Sequence, residues 1–583
     1  MRSIFSVVKK GFIYVRKNGL YKTGRKAVRK IVFARKYERW IAHCENVDEG
    51  QIRHDMDSFQ YRPLFSVCIP VYNVEEKWLR KCVASVENQY YEHWQLCLAD
   101  DCSTDPRVRD ILKEYEQKDS RIQVVYRTEN GHISRATNSA LQIAKGDFVV
   151  LMDNDDELAP HALYEVARVL QDNRNLDVLY SDEDKINEKG KRSNPHFKPD
   201  YCPDTLLSNN YISHLTVYRR RIVEEAGGFR TGVEGAQDYD LLLRVTELTD
   251  RICHIPKILY QWRAISGSTA LDGGEKGYAY LAGKKALEDA IKRRGYHARV
   301  TETRNSPCYN VKFLPVNRHF ISVILMPEKE KAAERCLQSV FANTSNQSFE
   351  ILFIENAINK KITGTLFRRY REIMECCVVK SQGVEKTTTL KNKAVRQAKG
   401  DLLLFLNPDL EIRTKQWLQL LAGEAERDSI GAVGAKLLGP DNRIRQAGQY
   451  LDGKCIYRAV GRGREEEDSG YMYYLSMRRN YSAVSGDCLM VKKQTFEEAG
   501  GFDESLDNVF CSVDLCLKLR QKGYRNLFLP DVVLRYSSSE KTFQKKSKKE
   551  NNQEISYMRK KWGKELSKDP CNSRWFSLDS IRL

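Results

Sequence analysis

The chain has 583 residues, 41% of them hydrophobic and 10% aromatic, with a formal net charge of +18. That length predicts two or more domains, and the basic excess points to an anionic partner: nucleic acid, an anionic membrane or an anionic small substrate. No apolar run reaches the ~18 residues of a membrane-spanning helix, and the 16 cysteines include no Cys-x-x-Cys pair, which argues against a zinc site and predicts reduced thiols in a cytosol.

Residues 1–62 read as a basic helical arm. Met1–Lys10 lacks the apolar core and small-residue cleavage site of a signal peptide. Between Arg2 and Arg39 the basic residues face a single acid, Glu38. Phe5, Val8, Phe12 and Val15, then Val28, Ile31 and Val32, recur at helix-like spacing. This is the pattern of a surface helix on anionic lipid, where each basic residue adds ~1 kcal/mol. A solvated arm packed on the main domain is the alternative. No DNA- or RNA-binding motif lies nearby, which argues against nucleic acid.

From Leu64 strands and helices alternate. Strands are predicted at Phe65–Ile69, Gln95–Ala99, Ile122–Tyr126 and Phe148–Met152, and helices at Lys77–Asn88, Val108–Tyr115 and Ser134–Ala144. Such alternation predicts an α/β fold, a mostly parallel sheet with helices on both faces. Ligands on such sheets bind off the carboxyl ends of the strands. Two strands end in acids there, Asp100-Asp101 and Asp153, Asp155, Asp156 and Glu157. Each like-charge pair about 4 Å apart costs roughly 4 kcal/mol at an effective dielectric of about 20. A divalent cation converts that cost into a binding site, and carboxylates are the ligands Mg²⁺ and Mn²⁺ prefer. An acidic turn that caps a helix opened by Pro160 is the alternative.

Four segments in order, Phe65-Ser-Val-Cys-Ile-Pro-Val-Tyr-Asn73, Ala99-Asp-Asp-Cys-Ser-Thr-Asp105, Ala144-Lys-Gly-Asp147 and Met152-Asp-Asn-Asp-Asp156, resemble the motif set of family 2 glycosyltransferases. The resemblance implies a GT-A fold and a nucleotide-diphosphate sugar, UDP- or dTDP-linked. It implies that Pro70, Tyr72 and Asn73 line the nucleotide pocket, that Asp101 hydrogen-bonds the base, and that Asp153 and Asp155 hold ribose and a metal, Mn²⁺ or Mg²⁺. Further on, Gly227-Gly-Phe-Arg230 and Glu234-Gly-Ala-Gln-Asp-Tyr-Asp-Leu241 match the segment in which the family places its general base. That residue is Asp238 here, preceded by Gln237, a candidate acceptor or donor contact, and the implied transfer inverts the anomeric carbon. A helix cap is the structural alternative for Asp238. Ser181-Asp-Glu-Asp-Lys185 and His196-Phe-Lys-Pro-Asp200 resemble a bacterial surface-polysaccharide branch, with Asp182 and Asp184 as contacts to donor or acceptor, or as parts of a solvated loop. Many relatives carry His where Gln261 stands. Trp262 is a candidate acceptor or donor contact, and Arg263 is the candidate hold on the diphosphate.

The second half repeats the first. Phe320-Ile-Ser-Val-Ile-Leu325, Lys399-Gly-Asp401, Asn407-Pro-Asp409, Glu498-Ala-Gly-Gly-Phe502 and Ser512-Val-Asp-Leu515 follow in the same order. The chemistry is not repeated: Asn356 stands for Asp101, Asn407 for Asp153 and Ser512 for Asp238. Loss of a general base costs ~10²–10⁴-fold, so the second half is expected to keep the fold with activity lost or changed. The tail opens on lysines and then shows an apolar stripe, Tyr557, Met558 and Trp562, that reads as a packing face.

The expected organisation is a basic arm (1–62), a catalytic GT-A domain (63–315), a degenerate second domain (316–540) and a basic tail (541–583). The expected activity is sugar transfer to a glycan or lipid-linked glycan hydroxyl in the cytoplasm, with peripheral contact at the inner membrane face. Two other readings stay open at this level: transfer by both halves, and a non-catalytic glycan-binding scaffold. A nucleotidyltransferase is disfavoured because Pro70–Glu76 lacks a glycine-rich phosphate loop.

Overall fold

The computed structural model describes residues 28, 31–45, 47–265, 276–303, 307–345, 348–507, 510–538, 548–577 and 580–581. The basic residues from Arg2 to Lys30, and Lys541, Lys545 and Lys546 of the tail, lie outside the described residues.

Nine strands form the first sheet: β1 Phe65–Val71, β2 Trp94–Asp100, β3 Ile122–Tyr126, β4 Phe148–Leu151, β5 Glu157–Leu158, β6 Val178–Asn187, β7 Arg192–His196, β8 Thr216–Arg219 and β9 Ile252–Ala264. Their order is β3-β2-β1-β4-β8-β6-β9-β5, with β7 on β6. β1 runs parallel to both β2 and β4, whereas β8 runs antiparallel to β4. β1 and β2 are almost wholly buried because helices cover both faces. The helices Glu76–Glu87, Pro106–Lys118 and His132–Gln142 make the crossovers, within a few residues of the expected spans. Asp105 caps the second by accepting from Arg107 N at 3.0 Å, with Pro106 opening the helix. The expectation of a helix opened by Pro160 is corrected. The acidic stretch runs into the short strand β5, paired with Tyr260 and Gln261, and the helix begins at Ala162.

The Lys-Gly-Asp segment is a lock between strands. Gly146 N donates to Ser66 Oγ at 2.8 Å, Lys145 N to Gln95 Oε1 at 2.9 Å, and Leu64 N to Asp147 Oδ2 at 2.9 Å. A Cβ on residue 146 would stand 2.6 Å from Leu64 O, so the backbones approach closely only with glycine. The second half builds the same lock: Gly400 N to Ser322 Oγ at 2.8 Å and Phe320 N to Asp401 Oδ1 at 2.9 Å.

The second sheet repeats the eight-strand order of the first and adds a strand, Arg479–Tyr481, beside Arg525–Tyr536. Its order is Cys376–Lys380, Ser348–Glu355, Phe320–Leu325, Leu402–Leu406, Cys488–Lys492, Ile430–Leu438, Arg525–Tyr536, Leu410–Ile412. The duplicated sequence pattern is therefore a duplicated α/β topology.

The described part of the arm is held firmly. The helix over 31–44 buries Tyr37 and Trp40. Tyr37 OH donates to Asp184 Oδ2, which also takes Arg192 Nε at 2.6 Å. Trp575 meets Trp40 edge-on at 5.4 Å, and the tail helix Lys548–Ser567 buries Met558 and Trp562 of the expected stripe, whereas Tyr557 is exposed and donates to Asp503 at 2.7 Å. No described helix is long and apolar enough to cross a membrane.

Asp204 ties the two halves together. It is fully buried and accepts from Arg427 at 2.6 Å, Arg525 Nε at 2.8 Å and Asn480 Nδ2 at 2.9 Å. Burial pushes its carboxyl up, but Arg427 and Arg525 outweigh burial and hold it well below the usual carboxylate range. Its stabilising contribution is therefore present above the ordinary carboxylate pKa and is lost as pH falls through the depressed value. Asp204→Ala removes the shared buried acceptor of Arg427, Arg525 and Asn480; Arg427 keeps Glu424 at 2.8 Å and Arg525 is partly exposed, so a loss of about 3 kcal/mol is expected. Chemical denaturation of the full chain reads this, and an unchanged midpoint would count against the interdomain anchor.

Candidate active site

Two adjoining cavities open at the carboxyl ends of β1, β2 and β4. The smaller, about 410 Å³, is lined by Pro70, Tyr72, Asp101, Asn130, Asp153 and Asp155 among others. The larger, about 680 Å³, is lined by Asp153, Asn210, His214, Gln237, Asp238 and Trp262 among others. Pro70, His132, Ile133 and Asp153 border both. Eight of the twelve expected site residues thus meet at one rim of the first sheet.

Asp101 closes the end of β2. Its Oδ1 accepts from Arg127 Nε at 2.7 Å and Gly131 N at 2.9 Å, which fixes the carboxylate at the cavity wall. Asp100 beside it points inward and accepts from Arg109 Nε at 2.9 Å.

The acidic stretch divides by environment. Asp156 is fully buried and takes Tyr260 OH at 2.5 Å and Arg263 N at 2.6 Å. Burial first, then Asp155 and Asp153, push its carboxyl well above the ordinary range. Asp153 and Asp155 stay at the cavity wall. Burial first, then the Asp153 charge, push Asp155 up to about 6.

Asp238 lies in the first turn of the helix Gln237–Val245. Its Oδ2 accepts from Asn210 Nδ2 at 2.8 Å. Burial pushes its carboxyl up, His214 pulls it down and Asp153 pushes it up again, with a net rise. Gln237 turns back to accept from Gly235 N at 2.8 Å, which ties down the loop ahead of Asp238. Trp262 lines the larger cavity with Lys185 Nζ 4.4 Å above its ring.

Four expected contacts are placed elsewhere. Asn73, with φ 46°, accepts from Thr104 N at 2.9 Å and Asp105 N at 3.3 Å, bracing the loop after β2. Asp182 is buried and accepts from Lys198 N and His254 Nε2, both at 2.8 Å. Asp184 anchors the N-terminal helix as described. Both carboxylates point into the fold because β6 lies mid-sheet. Arg263 is fully buried, stacks 4.3 Å over Trp78, donates to Asp155 O at 2.5 Å and pairs with Glu157. It supports the acidic stretch from below. Gln261 is buried on the rung opposite Glu157 and lines neither cavity.

Of the carboxylates that line the two cavities, Asp153 and Asp155 lie two residues apart on the stretch that follows β4. Among the described residues no group of three or more His, Cys, Asp or Glu is arranged to hold a metal. Asp153 and Asp155 nonetheless fit a hard dication shared with a diphosphate, since Mg²⁺ is commonly held by one or two carboxylates plus substrate phosphates. No described lysine or arginine lines either cavity, so an entering diphosphate finds no such side chain to offset its charge.

Asn210 and His214 escaped the sequence reading. The signal was topological: β8 returns antiparallel to β4, so the residues just before it come back to the rim where β4 ends.

The equivalent rim of the second half is nearly closed, with a cavity of about 60 Å³. Asn407 Nδ2 donates to Asp487 Oδ1 at 2.9 Å, and Tyr536 OH also donates to Asp487. Asn356 Oδ1 accepts from Ile358 N and Asn359 N, both at 3.0 Å, within its own turn. Ser512 is buried beside Gly486.

The model of glycosyl transferase family 2 matches residues 66–227 and 323–500, together more than half the chain. An uncharacterized protein of Sinorhizobium fredii is 37% identical over 542 residues, covering 90% of this chain and 58% of that protein. The O-antigen biosynthesis protein RfbC of Myxococcus xanthus is 35% identical over 501 residues, covering 84% of this chain and 38% of its own length. A chondroitin synthase of Escherichia coli is 31% identical over 199 residues, covering 34% of this chain and 28% of the synthase. The chain therefore spans little more than half of one and less than half of the other two. Two family matches laid over two sheets of one topology settle its place: the chain belongs to glycosyl transferase family 2, with tandem GT-A-like domains.

Proposed function

We propose that the first domain moves a sugar from a nucleotide diphosphate, UDP- or dTDP-linked, to a hydroxyl of a glycan or lipid-linked glycan in cell-surface polysaccharide synthesis. The observation that carries this is the placement of Asp153 and Asp238 on the wall of one 680 Å³ cavity that joins the Asp101 cleft. Asp101, its Oδ1 already tied, presents the remaining carboxylate oxygen to the base. Asp153 and Asp155 would hold Mn²⁺ or Mg²⁺, which when bound supplies charge stabilisation to a leaving diphosphate. Asp238 takes the proton of the acceptor hydroxyl as that oxygen attacks the anomeric carbon from the face opposite the leaving group, inverting it. The raised pKa of Asp238 suits a base, and Asn210 holds one of its oxygens. Trp262 offers an apolar face to a sugar ring at the same wall.

The second domain keeps the fold without this chemistry: its rim is filled, and neutral residues stand where charge is needed. The helix over 31–44 leaves Ile31 and Val32 exposed beside Arg35 and Arg39, which supports peripheral contact with anionic lipid at the inner face of the membrane.

The test is a panel of nucleotide sugars with Mn²⁺, read by thermal shift and by release of nucleoside diphosphate. Stabilisation and release with a UDP or dTDP sugar are expected. No response to any donor would contradict the proposal.

A further inference from the structure

The two halves place different chemistry across from the end of their central strand. In the first, Leu151 pairs with Thr216, and continuing that antiparallel register sets Asp153 opposite His214. In the second, Leu406 pairs with Cys488, and the next rung sets Asn407 opposite Asp487, with Asn407 N donating to Asp487 O at 2.8 Å. The half with an acid at the strand end thus carries an imidazole across from it, and the half with an amide carries an acid. In the second half that pair satisfies itself and helps close the rim. In the first it does not.

His214 is held rigidly without use of its ring nitrogens. Its main-chain N donates to Glu183 Oε2 at 3.0 Å, and its carbonyl accepts from Lys198 Nζ. The ring stacks on Tyr260 at 4.7 Å and meets Trp262 edge-on at 6.0 Å. Among the described residues no protein group hydrogen-bonds the ring nitrogens, and the ring lines the larger cavity together with Asp153 and Asp238. With no described lysine or arginine lining either cavity, His132 and His214 are the basic side chains there. His132 is exposed at the rim, whereas His214 is half-buried and lines the larger cavity together with Asp153, the carboxylate shared by both cavities.

We propose that His214 is a substrate-contacting residue that donates a ring N–H hydrogen bond to the diphosphate of the nucleotide donor beside Asp153, holding the leaving group across the cavity from Asp238. This rests on the reading of the cleft as a nucleotide-sugar site. Neutral imidazole suffices, because one ring nitrogen is always a donor.

The test titrates UDP, dTDP, GDP and CDP with Mn²⁺ into the full chain by calorimetry, and compares the tightest with its own nucleoside. His214→Phe keeps a ring against Tyr260 and removes the N–H; His214→Gln restores a donor; His214→Leu is a second donor-free variant should the first not melt cooperatively. The donor-free variant is expected to lose at least about tenfold in affinity for the nucleoside diphosphate, with the nucleoside unaffected and most of the loss recovered in His214→Gln. Unchanged diphosphate affinity in the donor-free variant, or an equal loss for diphosphate and nucleoside, overturns the role of His214 alone. If the unaltered chain binds none of the four diphosphates, the nucleotide-sugar reading falls and this inference with it.

Discussion

Asp238→Asn is expected to lower kcat by ~10²–10⁴-fold while donor KM stays close to that of the unaltered enzyme. The substitution is nearly isosteric. The amide oxygen can still accept from Asn210 Nδ2, which reaches Asp238 Oδ2 at 2.8 Å, so the loop and helix start stay in place. What disappears is the proton acceptor at the wall of the larger cavity. The pH dependence gives a second readout. Burial raises the Asp238 carboxyl, and a base works only when deprotonated. Activity should therefore fall on the acid side at a pH above the ordinary carboxylate pKa of ~3.9, and recover as pH rises through the raised value. The residual activity of Asp238→Asn should lack that limb. Steady-state kinetics across pH with a saturating donor reads both. An unchanged kcat would return Asp238 to the role of a helix-start acid.

Asp153→Asn is expected to cost at least about 100-fold in turnover, equivalent to about 2.7 kcal/mol of lost transition-state stabilisation, and to raise the Mn²⁺ concentration needed for half activity. The duplication within the chain offers the rationale. Asn407 occupies this position in the second half, where it bonds to Asp487 and the rim holds only about 60 Å³. The variant places the amide of the second half into the open cavity of the first, without the Asp487 carboxylate that Asn407 bonds there. Burial and then the Asp153 charge lift Asp155 to about 6; the variant removes the second of these, so Asp155 should ionise at a somewhat lower pH. A Mn²⁺ titration of rate separates this from a general loss of structure. A variant that saturates with Mn²⁺ as before would remove Asp153 from any metal role.

Much of this was legible in the sequence because it depends on local pattern. Buried strands read as apolar runs, crossover helices as amphipathic repeats, and acids at strand ends fall at the sheet rim by topology alone. The duplication was legible too, since Lys-Gly-Asp and Gly-Gly-Phe recur in both halves. The Lys-Gly-Asp segment proves to be a strand lock, so its recurrence marks the fold and carries no chemistry. What was not legible depends on which way a side chain turns. Asp182, Asp184 and Arg263 are as polar as the true rim residues, yet they lie in strands covered on both faces. There they satisfy His254, Tyr37 and the acidic stretch. Asn73 sits one loop from the cleft but turns toward Thr104. Asn210 and His214 carry no local signal, because only the return of β8 beside β4 brings them to the rim.

The most direct measurement is a structure of the full chain grown with Mn²⁺ and the nucleoside diphosphate that binds most tightly. The predicted result is density for the base against Asp101 and for the diphosphate between Asp153, Asp155 and His214, with the rim around Asn407 and Asp487 empty. Density at the second rim, or a first cleft left vacant at saturating nucleotide, would contradict the assignment.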